Sequence, residues 1–190
     1  MIKRINNIVF KGYFVVKKVI YSFFSNNSNI TGRYRAFQPV VLRGDGKISF
    51  GSNVRFGVIN SPLLYNTYAY VEARGKDSEI EFGNDITINN GFSITAEKKI
   101  VIKDNVLIGL NCFIIDSNFH MLAPSKRSHT DENPKEVIIG ENVFIGNNVS
   151  ILKGVFVGKN SVIGANSVVI NSIPENCIAS GNPAVVVRTL

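Results

Sequence analysis

The chain has 190 residues, 45% of them hydrophobic, with 16 glycines, 13 phenylalanines and no tryptophan, a composition that fits one ordered, β-rich domain and excludes a disordered chain. The net charge of +7 comes entirely from residues 1–35, which contain seven basic and no acidic side chains. Because the remaining 155 residues carry 14 charges of each sign, we do not expect a groove for nucleic acid.

The first predicted element is a basic amphipathic helix over residues 1–24. Its apolar residues recur at positions 2, 5, 8, 9, 13, 16, 19, 20 and 23, which places a stripe along one helix face. Lysines at 11, 17 and 18 exclude a membrane-spanning helix or a signal-peptide core. Two interpretations stay open: the stripe packs on this protein or a sister subunit, or residues 1–24 lie on an anionic membrane surface. NNSNITG at 26–32 predicts a linker, so residues 1–32 form the helix and linker and residues 33–190 the main domain.

The main domain carries an internal repeat of six residues. From residue 139 the lines IGENVF, IGNNVS, ILKGVF, VGKNSV and IGANSV align an aliphatic column with a second column four residues later. The pattern is looser upstream, where inward positions are predicted at Phe50, Phe56, Phe82, Ile88, Ile94, Ile102, Ile108 and Ile114. Such a repeat is the signature of a parallel β-helix, an all-β solenoid.

The spacing has a physical explanation in this fold. Six residues make a short strand and a turn, and three of these units close one triangular coil. The aliphatic residue points inward and stacks on its equivalent one coil away, while glycine or asparagine takes the left-handed backbone at the corners.

Two interruptions of the repeat are predicted to be loops, at about 57–79 and 116–137. Loops that project from a stiff scaffold often form its binding face. The second interruption begins with DSNFH at 116–120 and contains both histidines of the chain, His120 and His129. Two histidines on one loop cannot supply a three-histidine zinc site, so no metal is expected.

The five hexapeptides, followed by NSIPENCIASGNPAVVVR at 171–188, resemble the hexapeptide-repeat acyltransferases. The similarity covers residues 80–190 and points to the branch of maltose, galactoside and nodulation O-acetyltransferases and of surface-polysaccharide acetyltransferases. It implies a left-handed β-helix, assembly as a homotrimer, and acetyl-CoA in a groove between neighbouring solenoids.

The resemblance also implies roles for individual residues. His120 matches the histidine at the start of the loop, which acts as general base on a sugar hydroxyl without a covalent enzyme intermediate. Asn89 in TINNGF matches an asparagine that holds the acceptor or the tetrahedral intermediate. Asp116 either orients His120 or forms a turn. The predicted contacts of coenzyme A are Asn147, Gly164, Ala165 and Arg188.

The resulting functional prediction is an acetyl-CoA-dependent O-acetyltransferase of a sugar in cell-surface polysaccharide biosynthesis. The expected location is the cytoplasm, with a peripheral position at the inner face of the cell membrane. Two alternatives stay open: N-acetylation of an amino sugar, which the same base and donor would serve, and a non-catalytic solenoid scaffold.

Overall fold

The computed structural model describes the backbone of residues 2–190 and the side chains from residue 9 onwards. Helix α1 (Ile2–Ser22) precedes six coils of short strands, and each coil contributes one strand to each of three sheets. The strands of the first three coils are β1 (Ile30–Thr31), β2 (Tyr34–Ala36) and β3 (Val40–Arg43); β4 (Lys47–Phe50), β5 (Val54–Phe56) and β6 (Ala69–Ala73); and β7 (Glu79–Phe82), β8 (Thr87–Ile88) and β9 (Ser93–Ala96).

The last three coils and a terminal hairpin complete the solenoid. Their strands are β10 (Lys99–Ile102), β11 (Leu107–Ile108) and β12 (Phe113–Ile115); β13 (Val137–Ile139), β14 (Phe144–Ile145) and β15 (Ser150–Ile151); β16 (Phe156–Val157), β17 (Val162–Ile163) and β18 (Val168–Val169); and β19 (Cys177–Gly181) with β20 (Ala184–Thr189). A short 3-10 helix, Pro124–Lys126, lies between β12 and β13.

The first, second and third strands of the coils form sheets A, B and C, which are the three sides of a left-handed β-helix. Among the described strands, every pair between coils is parallel, and the β19–β20 hairpin at the end of sheet B is the one antiparallel pair. The predicted all-β solenoid is therefore confirmed.

The core consists of stacked inward-pointing side chains on all three sheets, and a strand can contribute two of them: in sheet A a column of Ile48, Ile80, Ile100 and Val137 lies beside the main ladder. One main ladder on each sheet joins residues that the six-residue spacing predicts to lie inside, with Leu42 and Val71 added in sheet C, and all of these side chains are buried. The ladders are Phe50–Phe82–Ile102–Ile139–Val157 in sheet A, Phe56–Ile88–Ile108–Ile145–Ile163 in sheet B, and Leu42–Val71–Ile94–Ile114–Ile151–Val169 in sheet C.

Asparagine supplies the left-handed backbone at most of the regular corners and Gly154 supplies it in ILKGVF, whereas the glycines that follow the aliphatic column do not. Asn142, Asn160 and Asn176 have positive φ at one corner, and their side-chain amides hydrogen-bond from coil to coil at 3.0 and 2.8 Å. The glycines at 140, 146, 158 and 164 have no positive φ. A Cβ at Gly158 would lie 2.3 Å from the backbone nitrogen of Glu175, so these glycines are required by the close approach of the next coil.

The two irregular segments differ in extent from the sequence-based ranges. Strand β6 lies within the predicted loop 57–79, and the irregular part is limited to residues 57–68. Its inward residues are Ala69, Val71 and Ala73, which are too small and varied to extend the Ile and Phe column. The second loop occupies residues 116–136, and strand β1 lies within the predicted linker.

Helix α1 packs one side on the solenoid and exposes the other. Phe14 is buried, and its ring lies 5.7 Å from the ring of Tyr65 in loop 57–68. The Tyr13 hydroxyl donates a hydrogen bond to the carbonyl of Tyr65 at 2.7 Å, and the Lys18 ammonium donates one to the carbonyl of Ala36. Among the described residues, no helix has both the length and the apolar character needed to cross a bilayer.

Candidate active site

Four of the predicted site residues lie along one edge of the prism. The B–C edge is where the chain turns from sheet B to sheet C, at residues 89–92, 109–112, 146–149 and 164–167. Because Ile88, Ile108, Ile145 and Ile163 are paired in register, the residues that follow them are stacked one coil apart. Asn89 therefore lies on the third coil, Asn147 on the fifth, and Gly164 and Ala165 on the sixth.

Asn89 and Asn90 have different environments, although they are adjacent. Asn90 is fully buried, and its amide nitrogen donates to the carbonyls of Val58, Ser61 and Pro62, so it holds loop 57–68 in place. Asn89 is half-buried, and its side-chain oxygen accepts the backbone N–H of Asn90 at 2.8 Å. The Asn89 amide nitrogen has no hydrogen-bond acceptor in the described part of the chain, so it can donate to a ligand.

His120 lies on a different edge. The chain leaves sheet C after β12, and loop 116–136 projects from the edge between sheets C and A. The imidazole is exposed and lines a concave surface of about 490 Å³ with Asn118, Met121, Leu122 and Arg127. Its Nδ1 atom lies 2.9 Å from the backbone carbonyl of Arg127. Since a carbonyl only accepts, Nδ1 carries the proton, and Nε2 is left with its lone pair toward solvent.

The residue before His120 has a conformation that its neighbours must enforce. Phe119 has a φ of 60°, which is unfavourable for a bulky residue. Its N–H donates to the Ser117 hydroxyl at 2.9 Å, and the Arg74 guanidinium lies 4.4 Å from the centre of its ring. Backbone strain of this kind persists where several contacts fix it, and it is typical of functional sites.

Asp131 is the residue that anchors this loop, and the sequence analysis missed it. Its buried carboxylate accepts hydrogen bonds from the Lys153 ammonium at 2.6 Å, the Asn118 N–H at 2.9 Å and the Asn133 N–H at 3.0 Å. Burial opposes ionisation of Asp131, but these donors outweigh it and lower its pKa to about 2. One signal was available: ILKGVF is the hexapeptide that places a lysine, Lys153, beside the loop.

Asp116 does not orient His120, which corrects one of the two roles considered for it. Its buried carboxylate accepts the backbone N–H groups of Glu97, Lys98 and Lys99 at 2.7–2.8 Å. Burial raises the pKa of Asp116, and the three N–H groups offset part of that effect. The carbonyl of Arg127 occupies the position beside Nδ1 of His120. Asp116 instead stabilises the turn at residues 97–99, in the coil below the loop.

The predicted coenzyme A residues form an edge with few side chains. Hypothetical Cβ atoms on Gly146 and Gly164 would lie 2.7 Å from atoms of the next coil, so no side chain fits there. Ala165 is exposed, whereas the Asn147 side-chain oxygen accepts the N–H of Leu110 at 2.8 Å. Arg188 is exposed on β20. Within the described residues, no cluster of three or more His, Cys, Asp or Glu groups is arranged to hold a metal ion.

Replacing Asp131 with asparagine is expected to lower the free energy of unfolding by about 2 kcal/mol at neutral pH. A carboxyl whose pKa is about 2 in the folded chain, against 3.8 ordinarily, stabilises the fold above that ordinary value. This stabilisation is lost as the pH falls through the folded-state pKa. Urea titrations at neutral pH and near pH ~2.5 measure the effect, with the exposed Asp77→Asn as control. An unchanged gap between wild type and Asp131→Asn at the two pH values would contradict the ion-pair account.

Comparison with known proteins agrees with this architecture. Residues 136–171 match the model of the bacterial transferase hexapeptide (six repeats). The Escherichia coli (strain K12) protein WbbJ, whose name describes a lipopolysaccharide biosynthesis O-acetyl transferase, is 32% identical over 158 residues, which are 79% of this chain and 76% of that protein. The galactoside O-acetyltransferase of Lactococcus lactis subsp. lactis (strain IL1403) is 37% identical over 121 residues, 64% of this chain.

The chain spans 57% of the length of the Lactococcus protein, and the same share of a relative from Saccharomyces cerevisiae. A solved structure of a galactoside acetyltransferase in complex with coenzyme A aligns with 95% of this chain and 82% of its own, at 25% identity and a TM-score of 0.55. The repeat, the solenoid and the extent of the match to WbbJ lead to one conclusion. This chain belongs to the family of hexapeptide-repeat acetyltransferases.

Proposed function

We propose that this protein transfers the acetyl group of acetyl-CoA to a sugar hydroxyl, with His120 as the general base. The observation that carries the proposal is the contact between Nδ1 of His120 and the carbonyl of Arg127. It leaves the basic Nε2 atom exposed, and a neutral imidazole in this tautomer can accept a proton from an alcohol. The relatives named as O-acetyltransferases support a hydroxyl acceptor.

The proposed reaction needs no covalent bond to the enzyme. Bound acetyl-CoA supplies a thioester, whose carbonyl carbon is the electrophile. Nε2 of His120 takes the hydroxyl proton as the new C–O bond forms, and the imidazolium returns that proton to the departing sulfur as the C–S bond breaks. The free amide nitrogen of Asn89 is suited to hold the acceptor, or the oxygen that becomes negative, because it is an unused donor.

The B–C edge is the proposed binding place of coenzyme A. The glycines there carry no side chains, so the backbone beside Ala165 and Asn147 is open to a long, thin ligand. Arg188 is an exposed cation on the neighbouring hairpin and suits a phosphate. These residues fit the donor that we propose.

We infer further that a complete site needs two copies of the chain. Asn89 lies on the B–C edge, whereas His120 projects from the edge between sheets C and A, so one chain does not bring them together. Leu107 and Phe144 are exposed neighbours on the outer face of sheet B, with 50% and 48% of their surfaces accessible. Exposed apolar side chains of this kind are typical of subunit interfaces and support a homotrimer.

The acceptor is proposed to belong to a cell-surface polysaccharide or to its lipid-linked precursor. The name of WbbJ supports the first part. The outer face of α1 supports the second, since Val9, Val16 and Ile20 are exposed there, and Phe23, which follows the helix directly, has 82% of its surface accessible. The sequence of α1 contains five basic residues and no acidic one. An exposed apolar face on a basic helix suits an anionic membrane surface.

His120→Ala is expected to lower kcat for acetyl transfer by roughly 10²- to 10⁴-fold, because the general base is lost. Release of the coenzyme A thiol, measured with acetyl-CoA and a panel of sugars, gives the rate. His129→Ala is the matched control, since His129 lies on the same loop and is exposed; it is expected to retain the wild-type rate within threefold. Undiminished transfer by His120→Ala would exclude the proposed mechanism.

Mixing two inactive variants tests the shared site. If His120 and Asn89 come from neighbouring chains, subunits of His120→Ala and Asn89→Ala that are unfolded and refolded together at equal amounts form roughly a quarter of their sites intact. Activity should therefore return to about a quarter of the wild-type value in the mixture, and it should stay absent in each variant refolded alone. No recovery, with trimers present by light scattering, would place both residues within one chain.

The membrane contact is tested by co-sedimentation with vesicles. The wild-type protein is expected to bind vesicles that contain anionic phosphatidylglycerol and to bind phosphatidylcholine vesicles weakly, with salt reducing the binding. Val16→Glu with Phe23→Glu should abolish binding and leave the fold intact, because both side chains point away from the solenoid. If the double variant instead changes the oligomeric state and the wild type ignores both vesicles, α1 contacts a sister subunit.

A further inference from the structure

A cleft with arginine on its wall lies beside Asn89. It has a volume of about 310 Å³ and is lined by Phe37, Arg55, Gly57, Val58, Ile59, Asn60 and Thr87. Arg55 and Thr87 are paired in register on the outer face of sheet B, on the second and third coils. A second cleft beside α1 shares Phe37 and Ile59 with it and adds Lys11 and Lys18. The lining of the first cleft contains one cation and no acidic residue.

Arg55 has a neighbour of the same charge and lacks a counter-ion. Arg35 is its register partner on β2, and the Arg35 guanidinium lies 4.9 Å from the centre of the Phe37 ring. Neither arginine forms an ion pair with a carboxylate in the part of the chain that the structure describes. Like charges directly opposite each other on adjacent strands repel, and a bound anion would offset this repulsion.

An unsatisfied donor of Arg55 provides a second, independent observation. Arg55 Nε is buried and has no hydrogen-bond partner, and among the described residues Gln38 Nε2 is the one other side-chain atom in this state. Gln38 packs beside Gly57, where a Cβ would lie 3.0 Å from its Cγ, but it does not line the cleft, so Arg55 Nε is the donor that a ligand there could reach. A buried N–H without a partner is costly, and an oxyanion bound in the cleft would accept it.

The cleft is placed to hold part of the acceptor. Thr87 lines it, and Asn89 follows two residues later with its side chain on the same face, because side chains alternate along a strand. From the strand spacing and rise, the backbones of Arg55 and Asn89 lie roughly 8 Å apart. The predicted coenzyme A residues Asn147, Gly164 and Ala165 lie two to three coils from Asn89 on the same edge. A group held by Arg55 is therefore on the acceptor side of Asn89.

We propose that the acceptor carries an oxyanion, a carboxylate of an acidic sugar or a phosphate on the sugar, which binds Arg55. The guanidinium fork matches the oxygens of either group, and Arg35 adds a second positive charge. Phe37, Val58 and Ile59 provide an apolar surface for the carbon face of the sugar ring. This inference rests on the proposed function, and it makes Arg55 a residue that determines specificity.

Matched pairs of acceptors test the proposal with the full chain and acetyl-CoA. One pair is methyl β-D-glucuronide with methyl β-D-glucoside, and the other is galactose 1-phosphate with methyl β-D-galactoside. We expect wild-type kcat/KM to be roughly ten- to hundredfold higher for the charged member of at least one pair. Preference in the first pair identifies a carboxylate and preference in the second a phosphate. Equal use of charged and neutral members in both pairs would overturn the proposal.

Arg55→Gln removes the charge and Arg55→Lys keeps it without the fork. Arg55→Gln should raise KM for the preferred charged acceptor roughly ten- to hundredfold, with Arg55→Lys between it and wild type. KM for the neutral acceptor and KM for acetyl-CoA should each change less than threefold. Arg33→Gln is the matched control, since Arg33 is exposed and does not line the cleft. Equal losses for charged and neutral acceptors, or a raised KM for acetyl-CoA, would contradict the role of Arg55.

Direct binding separates this inference from the proposed function. Calorimetry with methyl β-D-glucuronide and with galactose 1-phosphate measures affinity without acetyl transfer. If the wild-type protein binds one of these anions, Arg55→Gln does not, and no sugar is acetylated, the anion site is retained and the transferase function is refuted. Transfer to neutral sugars that depends on His120, with no binding of either anion, would retain the transferase and refute the anion site.

Discussion

The close stacking of coils is the constraint on which the rest of the molecule depends. Neighbouring backbones lie one strand spacing apart, so each inward side chain must stack directly on its equivalents in the adjacent coils. Ile139 and Val157 fill consecutive places in such a ladder, and Gly158 is required where the next coil leaves no room for a Cβ. An interior packed in this way has no space for substrates. Polar chemistry must therefore lie on the edges of the prism and on the loops that leave it.

Loop 116–136 shows how such a loop is kept rigid on this scaffold. Its beginning and its end are both fixed by buried carboxylates, with Asp116 holding the corner beneath and Asp131 joining the loop to Lys153 on the fifth coil. Ordering a loop costs conformational entropy, and charge-assisted hydrogen bonds of low exposure offset that cost. The strained backbone of Phe119 persists because these contacts hold the loop in place around it. His120 follows at the next position.

The periodic part of the fold could be predicted from the sequence because it depends on one local rule. Ile139 to Val169 occupy the predicted inward places, and so do Phe50, Phe82 and Ile102 upstream. Strand β6 was missed because Ala69 and Ala73 fill inward places without the aliphatic signature. The contacts of Asp116 and Asp131 could not be read from the sequence, since each depends on which backbone N–H groups the folded corner presents.

The two ends of the solenoid differ in regularity, and this difference bears on which ligand each end can recognise. The last three coils follow the repeat closely and present an edge of glycines and asparagines, which suits a ligand recognised through the backbone. The first three coils contain a stack of Phe50 on Phe82, the loop 57–68 and the packed side of α1, and they expose the Arg55 cleft. These irregular coils hold side chains in an arrangement that the repeat does not dictate. On the proposed function, the regular end serves a donor common to the family, and the irregular end selects the acceptor.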